Sequence, residues 1–299
     1  MGSQADLYQS VTDRIIAALE SGTAPWVRPW KNDRSGGNIP HNAVSRRGYH
    51  GINVALLWMQ EAAMGYSSPS WLTFKQAADA GGNVRKGEKG TQIVFWQFRQ
   101  VKDSATGDVR TVPMLRTYYV FNVAQCEDIT LPSPRKAAAP IPPTDIDAIV
   151  AKTGATIRHG GDRAFYTTRD DSINMPNRAA FNSIADYHGT LLHELTHWTS
   201  HGSRCNRELG KRFGDEAYAA EELIAEMGSA FLCGALNVPH ENLQHANYMA
   251  SWLRVLKADN RAIFTAAKQA QAASDYILTA CGLLQPEPTD SDEQLQIAA

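Results

Sequence analysis

Tyr8, Val11, Ile15 and Leu19 recur three to four residues apart and Gly22 follows them, a pattern that predicts an amphipathic helix with a glycine stop. Residues 51–64 and 73–80 predict two more helices, the second closed by Gly81 and Gly82. At 91–101 and 115–123 the pattern changes to β-branched and aromatic residues on either side of a polar loop with Gly107, which predicts a β-hairpin. Apolar periodicity then lapses: residues 131–144 (LPSPRKAAAPIPPT) contain five prolines and predict an extended linker. Beyond it, 145–152 reads as a short helix, 164–168 and 172–175 as strands, and 181–201, 215–236 and 240–281 as long helices, the last broken near Asp259 and Asn260. Residues 285–299 are acidic and lack aromatics, as expected of a disordered tail. The fold class is α+β, with two domains expected at 1–130 and 145–284.

Composition narrows this picture. A chain of 299 residues with 43 % hydrophobic and 20 % charged positions can bury substantial cores. No run reaches the roughly 18 apolar residues of a membrane helix, and the first residues lack the basic-then-apolar layout of a signal peptide, so a cytoplasmic protein with no membrane partner is expected. Four scattered cysteines without a CxxC pair point to reduced thiols. The net charge of −2 hides an asymmetry: residues 1–130 hold 14 Lys+Arg against 11 Asp+Glu, leaving 15 against 20 in the remainder. Any nucleic-acid surface is therefore expected in the N-terminal half.

The sharpest chemical signal is His193-Glu194-Leu195-Thr196-His197. Histidines four apart project from one helix face about one turn apart, so both can reach one ion. Glu194 stands beside that face, where a carboxylate can take a proton from a water. Three turns of one straight helix cannot converge on a single ion, so His201 is not expected as a ligand, and Ser200 and Ser203 stand where a metzincin would need glycine and histidine. The third ligand is expected from 215–233, where Glu222 and Glu226 share a face; Glu222 is the favoured ligand and Glu226 its supporting partner, with the reverse left open. Glu221, about 100° away, reads as a solvated charge. Residues 171–176 (DSINMP) are placed to pair with an extended peptide, or are an ordinary edge strand. Tyr218 and His188 are further candidates to contact a tetrahedral intermediate.

The N-terminal half interleaves aromatic and basic residues. Trp26, Arg28, Trp30, Lys31, Arg46, Arg47, Trp71, Lys75, Arg85, Lys86 and Lys89 are the candidate DNA contacts, because single strands are held by base stacking together with phosphate charge. Phe74, Trp96, Phe98, Tyr118, Tyr119 and Phe121 add to the aromatic density, and at least half of these rings are expected to be core. The basic loop 83–90 (NVRKGEKG) lacks Walker spacing, so nucleotide hydrolysis is not implied.

Taken together, PWVRPW, GYHGINVALL, SWLTFKQAADAGGNVRKGEKGTQIVFW, LLHELTHWTSH and EELIAEMGSAFL resemble the ArdC-type antirestriction proteins of conjugative plasmids, whose N-terminal part is similar to that of TraC-type primases. The resemblance spans both halves. It implies an N-terminal single-stranded-DNA-binding domain and a C-terminal zincin-like metallopeptidase that uses Zn2+, with Mn2+ or another divalent ion as the alternative. It also implies a role in protecting incoming plasmid DNA from restriction, with single-stranded DNA and a protein or peptide, such as a host restriction or DNA-associated protein, as partners. A non-proteolytic DNA-coating protein with a structural or regulatory metal site is the competing expectation.

Overall fold

The computed structural model describes residues 4–26, 38–102, 108–131, 143–207, 216–239 and 246–284. Arg28, Trp30 and Lys31, most of the expected linker and the tail at 285–299 lie outside the described residues.

Helix α1 (Gln4–Glu20) buries the predicted stripe of Tyr8, Val11, Ile15 and Leu19, and Gly22 follows at φ 80°. Helix α2 (Ile52–Met64) is apolar on most sides and ends on Gly65 in the left-handed region, whose N–H returns to the Glu61 carbonyl. Helix α3 (Phe74–Asp79) starts in a capping box between Thr73 and Gln76. These helices frame a sheet of β1 (His41–Asn42), β2 (Ser70–Leu72), β4 (Thr91–Lys102) and β5 (Val109–Asn122), in the order β1-β2-β5-β4. A separate two-stranded ladder joins β3 (Asn83–Val84) to β6 (Cys126–Glu127). The predicted hairpin is longer than expected, registering from Thr91↔Val120 to Lys102↔Val109 and running through Pro113. At the outer edge of β4, the Asn53 side chain of α2 accepts from Val94 N–H and donates to its carbonyl, which satisfies a buried peptide group on the side of β4 away from β5.

The second domain begins with α4 (Pro143–Ala151) and a sheet of β7 (Thr156–His159), β8 (Phe165–Thr167) and β9 (Ser172–Met175), ordered β7-β9-β8. The sequence reading had missed β7, whose polar, mostly exposed side chains give no apolar alternation. Four helices follow: α5 (Ile184–Trp198), α6 (Glu216–Leu236), α7 (Ala246–Ala258) and α8 (Ala262–Ala280), with the anticipated break between the last two.

The architecture is the expected two-domain α+β arrangement, but its cores are not divided at the linker. Tyr8, Trp26 and Trp58 of the first domain pack in one cluster with Met227, Phe231, Trp252 and Ile263 of the second. A second cluster gathers α4, β9, α5 and the C-terminal part of α6 around Leu191, Leu195 and Leu232. Helix α6 serves both clusters, which explains why it has almost no exposed face. Burying each fully enclosed tryptophan contributes on the order of 4–6 kcal/mol before entropy is counted.

Candidate metal centre

The Ser183 hydroxyl accepts from the Asp186 N–H and starts α5, so the following turns place His193 and His197 on its buried side. Helix α6 crosses α5 very closely at Gly228. A Cβ there would lie 2.6 Å from Thr196 Cγ2, so only glycine allows the approach. That crossing brings the acidic first half of α6 over the histidine face.

His193 Nε2 and His197 Nε2 lie 3.2 Å apart, and Glu222 places Oε2 3.6 Å from the first and Oε1 3.6 Å from the second. One ligand atom from each residue falls within 4.8 Å of the others. Donors around a tetrahedral ion with bonds of about 2.0–2.1 Å stand roughly 3.3 Å apart, so this set fits a divalent cation with little movement. Nitrogen and carboxylate donors accept zinc and manganese alike. The Nδ1 atoms face outward. That of His197 lies 3.2 Å from Glu221 Oε1, and that of His193 lies 3.9 Å from Glu226 Oε1. His197 thus has a carboxylate hydrogen-bonded behind it, the arrangement that fixes a ligating tautomer, whereas Glu226 stands behind His193 beyond hydrogen-bond distance.

Glu221 corrects the sequence reading. It is buried, not solvated: Arg207 donates to it from Nε and Nη2 at 3.0 and 2.8 Å, and the same guanidinium donates to Thr199 Oγ1 and the Thr196 carbonyl. The spacing argument placed Glu221 off the Glu222 face correctly, but α6 is buried on more than one side. A signal was present, since a charge in so apolar a helix requires a partner. Arg207 offered no comparable sequence clue.

Electrostatics follow from this crowding. Burial opposes protonation of His193, but Glu222, Glu226 and Glu194 outweigh it and raise its pKa to about 9. Burial alone would raise the Glu222 carboxyl; His193, His197 and Tyr218 reverse that and lower it to about 2. Glu221 is likewise lowered, burial being overcome by His197 and Arg207. Without metal the cluster holds a proton where four carboxyl groups surround two imidazoles, an environment that favours a cation.

Glu194 is buried but lines the cleft, a space of about 430 Å3 bounded also by Arg163, Phe181, Glu222 and Tyr248. Tyr218, on α6, hydrogen-bonds Glu222, and its hydroxyl lies 3.4 Å from that of Tyr248. His188 does not reach this space: it is buried against Asp147, Nε2 to Oδ1 3.5 Å, so its expected role is withdrawn. His201 turns to Ser203 after the helix ends, in line with its exclusion. The expected peptide-pairing strand also changes. Ser172–Met175 is the central strand, bonded on both sides and mostly buried, and the edge beside the cleft is β8, with Phe165 and Tyr166 on its wall.

The candidate DNA contacts divide. Trp26 is fully buried, edge-on to Trp252 at 5.7 Å, and Trp71 is fully buried with Nε1 donating to Glu61 Oε1. Neither can stack on a base, because their ring faces are used in the core. Arg46 and Arg47 are half-buried in a turn where Arg46 adopts φ 64°. Arg85 is exposed but braces its loop through Glu88 and the Ala124 carbonyl. Lys75, Lys86 and Lys89 are exposed.

Residues 5–121 match the family described as the N-terminal domain of anti-restriction factor ArdC, and 144–269 match the zincin-like metallopeptidase family. The chain is 44 % identical to the metal-free crystal structure of the antirestriction ArdC protein from plasmid R388, with a TM-score of 0.80 over 94 % of this chain and 99 % of that one. The Mn(II)-bound crystal structure of that protein matches with a TM-score of 0.76 and 41 % identity over 93 % and 99 %. An uncharacterized protein of Sinorhizobium fredii, y4eC, is 39 % identical over 91 % of both chains. A DNA primase TraC of Escherichia coli is 40 % identical over 91 % of this chain, which spans only 27 % of that protein's length; a second TraC is covered over 20 %.

Proposed function

The chain belongs to the ArdC antirestriction family, and from that premise we propose that it binds single-stranded DNA through its N-terminal domain and hydrolyses peptide bonds at a divalent-metal centre of His193, His197 and Glu222. One observation supports the hydrolytic half above all others: two imidazole nitrogens and a carboxylate converge while Glu194 borders the same open cleft. Zinc or manganese held there by His193, His197 and Glu222 would supply Lewis acidity to a water and a substrate carbonyl. Glu194 is placed to take a proton from the attacking water and to return it to the leaving amine. Glu221 holds the His197 imidazole in the ligating orientation, Glu226 stands behind His193, and Tyr218 steadies Glu222. An extended peptide pairs with the free edge of β8, beside Glu194.

Replacing Glu194→Gln in the full chain should leave metal content and DNA binding intact and abolish peptide cleavage. Antirestriction that persists undiminished in that variant would separate protection from proteolysis. It would favour the second reading, a protein that shields DNA by coating it, for which the relation to TraC primases speaks.

A further inference from the structure

With Trp26 and Trp71 in the core, the rings left to meet a ligand lie elsewhere. Phe74, Tyr119 and Trp96 are 62, 58 and 41 % exposed. They fall on one surface. Alternation along β5 puts Leu115, Thr117, Tyr119 and Phe121 on the same side, and the register with β4 adds Gln92, Val94 and Trp96 to it; of these Val94 and Leu115 are buried. Helix α2 covers the opposite side, where Glu61 holds Trp71. On the open side α1 reaches one end, its Tyr8 ring 6.0 Å from Trp96 and its Arg14 within electrostatic range of Tyr119. Helix α3 reaches the other, where Phe74 meets Phe121 edge-on at 6.3 Å. Between them, beyond the buried Val94 and Leu115, Tyr119 stands exposed with Gln92, Thr117 and Phe121 partly so. Gly90 forms the floor: a Cβ there would lie 3.0 Å from Tyr119 Cβ and 3.1 Å from Phe121 Cζ, so the Phe121 ring and the base of the Tyr119 side chain lie against bare backbone.

We propose that this sheet face, bounded by α1 and α3, seats single-stranded DNA, with Tyr119 and Phe121 stacking successive bases and Phe74 and Trp96 extending the row. The assignment rests on the DNA-binding half of the proposed function and gives it a location. Residues two apart on one strand face are separated by roughly 7 Å, close to the spacing of bases in an extended single strand. A duplex offers no unstacked faces to such a row. The surrounding charge has the matching sign: Lys75 follows Phe74, and Lys86 and Lys89 lie in the loop leading to Gly90, all exposed. The acid in that loop, Glu88, is taken up by Arg85 and by Gln125 Nε2. Exposed aromatic area of this extent is uncommon unless it meets a ligand.

The test is fluorescence anisotropy of the full chain with a labelled oligo(dT) of about 20 nucleotides. Tyr119→Phe should bind as the wild type does, whereas Tyr119→Leu and Phe121→Leu should each lose about tenfold, since an aliphatic side chain keeps the apolar area but not the stacking. Lys86→Gln with Lys89→Gln should lessen the salt dependence. Thermal melting of each variant confirms folding, which the exposure of Tyr119 favours. Wild-type affinity in both leucine variants would overturn the sheet-face assignment and leave DNA binding itself standing. Failure of the wild type to bind at low salt would overturn both, and so would equal affinity for duplex.

Discussion

At the crossing of α5 and α6, four glutamates and two histidines are packed with an arginine, their side chains mostly buried along one wall of the cleft. On the sheet face between α1 and α3, rings stand open with lysines beside them. The first region has its electrostatics assembled before any ligand arrives, because buried charges persist only when partnered. The second leaves desolvation and ordering to the ligand. Substitutions in the metal centre should therefore change chemistry and stability together, and those on the sheet face should change affinity alone.

The most severe break is Glu194→Gln, which should lower peptide cleavage by about 10²–10⁴-fold with metal content, read by elemental analysis, unchanged. Next comes Glu221→Leu. It leaves Arg207 buried without its carboxylate and should cost about 3–5 kcal/mol in denaturant unfolding; Glu221→Gln should instead weaken metal binding by about 10–100-fold. Acidity tests the same cluster. His193 holds a proton up to about pH 9 against an ordinary value of 6.5, and a metal must displace that proton. Apparent metal affinity should therefore rise roughly tenfold per pH unit between those values and level off above them. The sign for the metal-free fold is opposite: stability from protonated His193 is fully present below pH 6.5 and is lost as pH rises through about 9. Gly228→Val should push α6 from Thr196 and cost about 1–3 kcal/mol, measurable in the same unfolding assay. The mildest change sharpens the contrast. Trp71→Phe removes a donor from buried Glu61 and should cost about 1–3 kcal/mol, yet leave oligo(dT) affinity unchanged, the reverse of Tyr119→Leu.

What the sequence made legible follows the same division. The histidine spacing in α5 fixes geometry by itself, so His193, Glu194 and His197 needed only a helix to be read, and the capped helices and the hairpin were visible for similar local reasons. Burial is a property of the whole fold. Nothing local distinguishes Trp71, enclosed beneath α2, from Tyr119 on the open side of the same sheet, and nothing near Glu221 announces Arg207. The central place of β9 was likewise hidden, because it depends on pairing with β7, a strand whose polar residues give no periodic signal.

Metal titration of the chelator-treated full chain decides between the two carboxylates. The wild type should take up one Zn2+ or Mn2+ per chain, Glu222→Gln should lose about a hundredfold or more in affinity, and Glu226→Gln, altered behind His193, only modestly. Near-normal binding by Glu222→Gln with binding abolished in Glu226→Gln would contradict the assignment of Glu222 as the third ligand.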